Sequence, residues 1–423
     1  MCGITGIINK TQESGILDKI RELNSLVQHR GPDSSDIYFY KNLAFGHRRL
    51  SIIDLSSDGQ QPMIYLDRYI ITYNGEVYNY LELKAELEIA GYIFHTSTDT
   101  EVILAAFDYW GKECVNRFNG MWAFAILDKQ SDNVFISRDR FGVKPLYYFE
   151  TDSFFAFGSE IKQLLPLMEE IIVNEDVLID YLAVGLEDHL ENTFFRGIKK
   201  LPSSFSISFN LGTFNLKKEQ FFKIELDNKI KELNEQESLD LYKKDFLDSI
   251  KLRLRSDVKV GACLSGGLDS SAIVHYASKL FFEETGEKFL AFHVVTSTNP
   301  KFNELNYVQE LIKDLPIDLI LIHADIDLVL KNVNEVIRLQ EEPFGSPSVV
   351  LQYLLMQKAK SLNCKVLLDG QGGDETLMGY ERYYASIFFS LGFFSKIKFI
   401  FDVIKHSKLN FFNLVSFFIY FSN

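Results

Sequence analysis

The 423 residues predict two folds in series, an α+β layered sandwich followed by an α/β doubly wound parallel sheet. Three observations carry this expectation. The length exceeds what one hydrophobic core usually spans, so two domains of about 200 residues each are expected. Up to about Phe222 short apolar strands are separated by turn residues, whereas beyond Glu237 strands and helices alternate. The composition, 47% hydrophobic and 24% charged, is that of a chain folded throughout.

In the first half, strands are expected over 3–8, 69–73, 121–127, 133–137, 154–157 and 205–209, with helices over 81–90 and 100–109 to cover them. The polar stretch DNKIKELNEQE (227–237) is the candidate linker. After it come a helix over 238–254, a strand over 258–264, a helix over 270–282, a strand over 289–295 and a helix over 303–314. A strand over 317–322, a helix over 348–361 and a strand over 366–369 complete the series. Such alternation argues for a parallel sheet whose ligands bind at the carboxyl ends of its strands. The domains would be residues 2–220 and 235–423.

Lys+Arg 44 against Asp+Glu 58 gives a net charge of −14, which repels a phosphate backbone and argues against nucleic acid as a partner. Cys2, Cys114, Cys263 and Cys364 are widely spread, without the CxxC pairs of a zinc site or the density of a disulfide framework. A reducing cytoplasm fits, and the opening MCGITGIIN lacks the basic and apolar regions of a signal peptide. The tail 384–423 is rich in Phe. Lys396, Lys398, Asp402, Lys405 and Lys408 interrupt it short of the ~18 apolar residues a transmembrane span requires, so a buried or interfacial helix is expected.

Cys2 follows the initiator Met. Removal of that Met would leave a thiol nucleophile and a free α-amine on one residue, and an α-amine titrates near ~8, close enough to neutral to take the thiol proton. The plain alternative is a small buried residue in the first strand, the commoner fate of a lone Cys.

Cys2 is followed, in order, by HRGPD (29–33), GHRRLSIIDL (46–55), NGEVYN (74–79), STDTE (97–101), GMWAF (120–124) and RDRFGVKPLY (138–147). Together these resemble the class II glutamine amidotransferases, specifically the asparagine synthetase B group, over essentially all of residues 2–220. The resemblance implies an αββα N-terminal-nucleophile sandwich. Arg49 offers a bidentate guanidinium for the glutamine α-carboxylate and Asp99 an anion for its α-ammonium, with Glu76 helping to hold the amino group. Asn74 and the N–H of Gly75 form a donor pair suited to an oxyanion. Taken singly, NGEVYN also reads as an Asn-Gly hairpin turn, and Arg49 and Asp99 as solvated surface charges.

In the second half the strand ending at Leu264 runs into SGGLDSS (265–271). Gly266 and Gly267 let the backbone present its N–H groups to an anion at the start of a helix, and Ser265, Ser270 and Ser271 add hydroxyl donors. The loop lacks the GK[ST] of a Walker motif and resembles that of the ATP-pyrophosphatase family, which makes acyl-adenylates. Asp269 then reads as a carboxylate for Mg²⁺ on pyrophosphate. By the same resemblance DGQGGDE (369–375) completes the ATP site, with Asp369 and Gly370 beside the nucleotide and Asp374 as a second Mg²⁺ carboxylate. Leu264 and Val294 match adenine-contacting positions, and are equally readable as plain core. Glu160 and Lys162, in SEIK, match the region where the family's two active sites communicate, with a solvated pair as the alternative.

Two departures qualify the resemblance. Gln371 stands where the best-known family members carry a glutamate tied to the β-aspartyl-AMP intermediate. Family chains also usually run on through a longer helical region supplying a lysine near the adenylated carboxylate. This chain stops at Asn423, no residue matches that lysine, and the second domain reads as C-terminally shortened. The function implied is glutamine-hydrolysing asparagine synthesis using glutamine, ATP, Mg²⁺ and aspartate. Its rivals are transfer of ammonia to another acceptor carboxylate, such as a sugar acid, and a shortened regulatory protein that keeps glutaminase or ligand binding. The reading allows a homodimer.

Overall fold

A computed structural model describes residues 1–11, 15–225, 227–296, 304–381, 383–407 and 409–420. The first 220 residues carry two six-stranded antiparallel sheets. One runs in the order Ile198–Lys200, Tyr147–Glu150, Phe154–Gly158, Gly3–Asn9, Leu43–Arg49, Ser34–Tyr40. The other runs Asn215–Gln220, Phe205–Asn210, Asn133–Arg138, Gly120–Asp128, Tyr69–Val77, Met63–Tyr65.

Side-chain alternation along each strand builds the layers. Ile4 and Ile8 point inward, onto Phe45, Phe157, Ala125 and Leu127 between the sheets. Ile7 points outward, onto Ile16, Ile20 and Leu23 of helix Ile16–Ser25. On the far side, Ile71, Tyr73, Phe124 and Ile126 pack against Leu83, Leu87, Val102 and Ile103 of helices Tyr80–Ile89 and Asp99–Trp110. The order is helix, sheet, sheet, helix, the αββα arrangement expected. Two buried polar contacts cross the sandwich: His47 Nε2 meets the Tyr73 carbonyl at 3.0 Å, and Thr72 Oγ1 donates to the Gly46 carbonyl at 3.1 Å. Burial lowers the His47 pKa to about 4, so the ring is neutral at pH 7. These contacts fix strand Leu43–Arg49 against Tyr69–Val77, and so fix their ends.

The second half holds a four-stranded parallel sheet ordered Ile317–Ala324, Phe289–Thr296, Val260–Cys263, Val366–Leu368. Val260, Ala262, Phe289 and Ala291 face helices Glu235–Leu254 and Leu268–Thr285 through Ile250, Leu254, Val274 and Ala277. Phe292 faces the other way, onto Leu355 and Ala359 of helix Ser348–Ser361. The chain steps outward from Val260–Cys263 to Ile317–Ala324, then returns to the opposite side for Val366–Leu368. The strand order therefore reverses between Val260–Cys263 and Val366–Leu368, the place where such sheets open a crevice for ligands.

Several elements differ from the expectation. The hairpin turn that NGEVYN taken singly would allow does not form: Asn74 and Gly75 extend the strand expected over 69–73 to Val77, paired with Ala123 and Trp122. The candidate linker is largely helical, because Asn234 caps helix Glu235–Leu254 by accepting from Glu237 N at 3.0 Å while the Glu237 side chain accepts from Asn234 N at 2.9 Å. The helix after SGG begins at Leu268 rather than Ser270. The helix expected from 303 spans Leu305–Ile312, and 303 itself lies outside the described residues. Helix Ile326–Gln340, capped by Asp325, was not anticipated. The Phe-rich tail forms helices Tyr383–Ser390, Phe393–His406 and Phe411–Tyr420 around Ala385, Val403, Leu414 and Phe418. Among the described residues no helix is long and apolar enough to cross a membrane.

Candidate active sites

The register Gly3↔Arg48 sets Cys2 beside the end of strand Leu43–Arg49. There the Cys2 Sγ accepts from Leu50 N at 3.3 Å, and the Arg30 Nε donates to the Cys2 carbonyl at 2.9 Å. Across the sandwich, the last residues of Tyr69–Val77 reach the same end. Cys2, Arg49, Asn74, Gly75, Glu76 and Asp99 line one cleft of about 500 Å³, counted with its open mouth. Six residues singled out from separate sequence segments are thus brought together.

Asn74 is 1% exposed, and its Nδ2 has no hydrogen-bond partner although it is buried in the cleft wall. A buried amide donor left unpaired is costly, so an acceptor supplied by a ligand would satisfy it. A Cβ on Gly75 would overlap the Met121 carbonyl oxygen, so only glycine allows strand Gly120–Asp128 to approach this closely. Arg49 is buried, and its guanidinium donates to the carbonyls of Ser56 (2.6 Å) and Asp54. Those bonds aim it at the cleft and use part of its donor set.

Asp99 stands in the first turn of helix Asp99–Trp110, whose cap Thr98 accepts from Thr100 N at 3.1 Å. Its carboxylate accepts from Tyr73 OH and Val77 N, both at 2.9 Å. Burial raises the Asp99 pKa to about 6 against the pull of those bonds. Glu76 is raised well above the usual carboxylate range, by burial first and by the Asp99 charge second. Asp99, titrating near 6, is therefore largely ionised at neutral pH, while Glu76 is held in the direction of its neutral form. Burial also raises the Cys2 thiol, which keeps its proton unless a base lies at hand.

Two residues of this site lay within motifs already noted but drew no assignment, Arg30 in HRGPD and Lys144 in RDRFGVKPLY. Lys144 lines the cleft. The Asp139 carboxylate shapes its loop by accepting from Phe141 N (3.1 Å), Val143 N (3.0 Å) and Lys144 N (2.9 Å). Burial lowers the Lys144 pKa, while the Glu76 carboxyl works in the opposite sense. The presence of two basic residues in motifs of otherwise unclear purpose was the available signal.

At the switch point of the parallel sheet, two loops meet. In SGGLDSS, Ser265 Oγ accepts from Gly267 N at 3.1 Å and lies 3.0 Å from Ser270 Oγ. Asp269, Ser270 and Ser271 fall in the first turn of helix Leu268–Thr285, whose N-terminal N–H groups favour an anion. From the neighbouring strand, DGQGGDE packs against that turn: a Cβ on Gly373 would overlap the Asp269 carboxylate. Burial and the charges of Asp374 and Glu375 raise the Asp269 pKa. A cation would relieve that repulsion. Among the described residues no group of three or more His, Cys, Asp or Glu forms a metal cage. Two carboxylates, Asp269 and Asp374, suit Mg²⁺ that takes its remaining ligands from phosphate and water.

Asp369 accepts from Gln371 N at 3.3 Å and from Gln352 Nε2 at 3.2 Å, while Gln371 itself is exposed at the crest of the loop beyond Gly370. Leu264 is buried in the core, with its N–H on the Phe292 carbonyl at 2.8 Å and its carbonyl 2.7 Å from His293 Nδ1. Val294 is half-buried on the adjacent strand. Glu160 and Lys162 form an ion pair at 2.8 Å, in a segment whose backbone bonds Glu341 of the second half of the chain.

A family model described as a glutamine amidotransferase domain matches residues 1–221, and one described as asparagine synthase matches residues 241–410. A Methanocaldococcus jannaschii protein, provisionally named asparagine synthetase (glutamine-hydrolyzing) 2, is 36% identical over 409 residues, 90% of this chain and 76% of that protein. Asparagine synthetases (glutamine-hydrolyzing) 1 and 2 of Bacillus subtilis are 33% and 34% identical over 393 and 401 residues. Each match covers 90% of this chain but only 59% and 52% of those proteins, so the chain spans little more than half the length of the Bacillus relatives.

Proposed function

The chain belongs to the glutamine-hydrolysing asparagine synthetase family, and we propose from this premise that it releases ammonia from glutamine at Cys2 and passes it internally to an aspartate activated by ATP. The observation that carries the first half is the unpaired Asn74 donor in a cleft that also holds a thiol, a guanidinium and an ionised carboxylate.

Glutamine binds with its α-carboxylate on Arg49 and its α-ammonium on Asp99, with Glu76 beside the amino group. Cys2 Sγ attacks the side-chain carbonyl carbon. The thiol proton passes to the α-amine freed when Met1 is removed. Asn74 Nδ2 and the Gly75 N–H stabilise the tetrahedral oxyanion. The C–N bond breaks with proton return to nitrogen, ammonia leaves, and water hydrolyses the thioester to glutamate.

At the switch point, the SGGLDSS serines and backbone N–H groups hold the phosphates, with Asp369 and Gly370 beside the nucleotide and Leu264 and Val294 beneath the base. Mg²⁺, when bound by Asp269 and Asp374, neutralises charge on the pyrophosphate. Aspartate displaces pyrophosphate from ATP to form β-aspartyl-AMP, and ammonia displaces AMP to give asparagine. Gln371 cannot serve as a base there, which keeps a different acceptor carboxylate as the second reading. Domain limits of 2–220 and 235–423 are consistent with the two sets of sheets. Four free cysteines fit a reducing cytoplasm.

The test is Cys2→Ala. Glutamate release from glutamine should vanish, while pyrophosphate release and asparagine formation from added ammonium salt persist. Undiminished glutamate release by the purified variant would sink the nucleophile assignment.

A further inference from the structure

We propose that Glu341, in the second half of the chain, is a positioning residue for the Cys2 nucleophile. The inference rests on the glutaminase reading above and extends it across the interface between the two halves.

A line of polar contacts connects the two residues. Arg30 donates from Nε to the Cys2 carbonyl at 2.9 Å and from Nη1 to Glu160 Oε1 at 3.0 Å. Glu160 Oε1 also lies 3.0 Å from His29 Nε2, and Glu160 Oε2 pairs with Lys162 Nζ at 2.8 Å. Burial alone would raise the Glu160 pKa, yet His29, Arg30 and Lys162 together hold it down at about 2. This carboxylate is therefore a fixed anion, and Arg30 is held by it on one side and by Cys2 on the other.

What fixes Glu160 is the short turn that follows it, Ile161–Gln163. The N–H groups at the start of that turn, Ile161 N and Lys162 N, donate to the two carboxylate oxygens of Glu341 at 2.8 and 2.7 Å. Lys162 Nζ lies 3.5 Å from the same carboxylate. Glu341 thus caps, from the other half of the molecule, the turn that carries the anion holding Arg30.

The backbone at Glu341 points the same way. It ends helix Ile326–Gln340 in a left-handed conformation, with φ of 67°. That position favours glycine, and a glutamate there bears a conformational cost its side-chain contacts must offset. Its neighbour Glu342 also crosses the interface, but accepts from Phe194 N at 2.8 Å, away from the line that leads to Cys2. The pair supplies an internal control.

Glu341→Gly removes the carboxylate while suiting the backbone. In the full chain it should lower glutaminase kcat by roughly tenfold, short of the about hundredfold that a misplacement of 1 Å can cause. The KM for glutamine should change little, since Arg49 and Asp99 are untouched. Iodoacetamide should alkylate Cys2 at a rate altered from that of the parent, and Glu341→Asp should restore part of both readouts. Glu342→Gln should leave kcat and the alkylation rate unchanged. Parental kcat and alkylation rate in Glu341→Gly would overturn the inference, as would an equal loss in Glu342→Gln, which would make the effect one of general docking. If the parent itself releases no glutamate, the glutaminase reading fails, and the alkylation rates alone still decide whether Glu341 acts on Cys2.

Discussion

Asp99 and Glu76 share one buried cleft, and the ionisation of Asp99 sets how the first site should respond to pH. Only ionised Asp99 can receive the α-ammonium of glutamine, and its pKa stands at about 6. Protons and glutamine therefore compete below that value. We expect kcat/KM for glutamine to be insensitive to Asp99 above pH 7 and to fall, toward a limit of about tenfold per pH unit, as pH drops below 6. Initial rates of glutamate release at low glutamine, between pH 4.5 and 8, check this. A profile flat through pH 6 would mean that Asp99 does not hold the ammonium. At the second site, Asp269→Asn and Asp374→Asn should each spare glutamine hydrolysis and remove ATP-dependent pyrophosphate release, because both carboxylates are assigned to Mg²⁺. Parental pyrophosphate release in either variant ends that assignment. Gln371→Glu should speed asparagine formation while leaving glutamate release alone. The scale is that of one preorganised contact, about a hundred- to a thousandfold. No gain with aspartate would favour the other acceptor carboxylate.

At the scale of elements, the sequence was legible where a single physical rule dominated. Buried strands such as Gly120–Asp128 and Phe154–Gly158 and the helix Ser348–Ser361 announce themselves by apolar runs or by period. It was illegible where tertiary contacts override local preference. Asn-Gly is the strongest short hairpin signal, yet Asn74 and Gly75 lie in mid-strand because the approach of Met121 and Trp122 requires the glycine. Leu43–Arg49 reads as a polar-ended motif, because its His47 and Arg49 are buried through contacts to Tyr73, Asp54 and Ser56 that no local pattern encodes. Most of the cleft residues could be named from their motifs, but Lys144 could not, since its loop is set by the Asp139 carboxylate on the Val143 and Lys144 N–H groups and by the Arg138 guanidinium on the Gly142 and Lys144 carbonyls, contacts no local pattern encodes. Gly75→Ala therefore separates the strand from the turn reading. In an open turn alanine would be tolerated, whereas here overpacking should cost about 1–3 kcal/mol, read as a lower urea midpoint at unchanged m-value.

For the whole molecule, ammonia made at one site must be used at another, so the docking of the two halves matters as much as either cleft. Two kinds of contact join them. Glu341 bonds the buried Ile161 and the half-buried Lys162 through their backbone N–H groups and is itself largely shielded, whereas Arg255 with Glu82, at 2.6 Å, and Lys365 with Asp33, at 2.7 Å, are more exposed ion pairs. Screening by salt weakens exposed pairs and leaves buried ones nearly untouched. Each exposed pair contributes about 0.2–1 kcal/mol, so neither alone should decide docking, but the loss of both acts on one equilibrium. The variant carrying Glu82→Ala and Lys365→Ala should hydrolyse glutamine with parental kcat/KM, because neither residue lines the first cleft. Its yield of asparagine per glutamate should fall, as ammonia escapes from halves that part more often. Raising salt from 0.05 to 0.5 M should lower the same yield in the parent and have less effect in the double variant, whose screened pairs are already gone. Glutamate and asparagine measured from one reaction give the ratio directly. A ratio that falls equally with salt in both proteins would place the salt sensitivity elsewhere than in these two pairs.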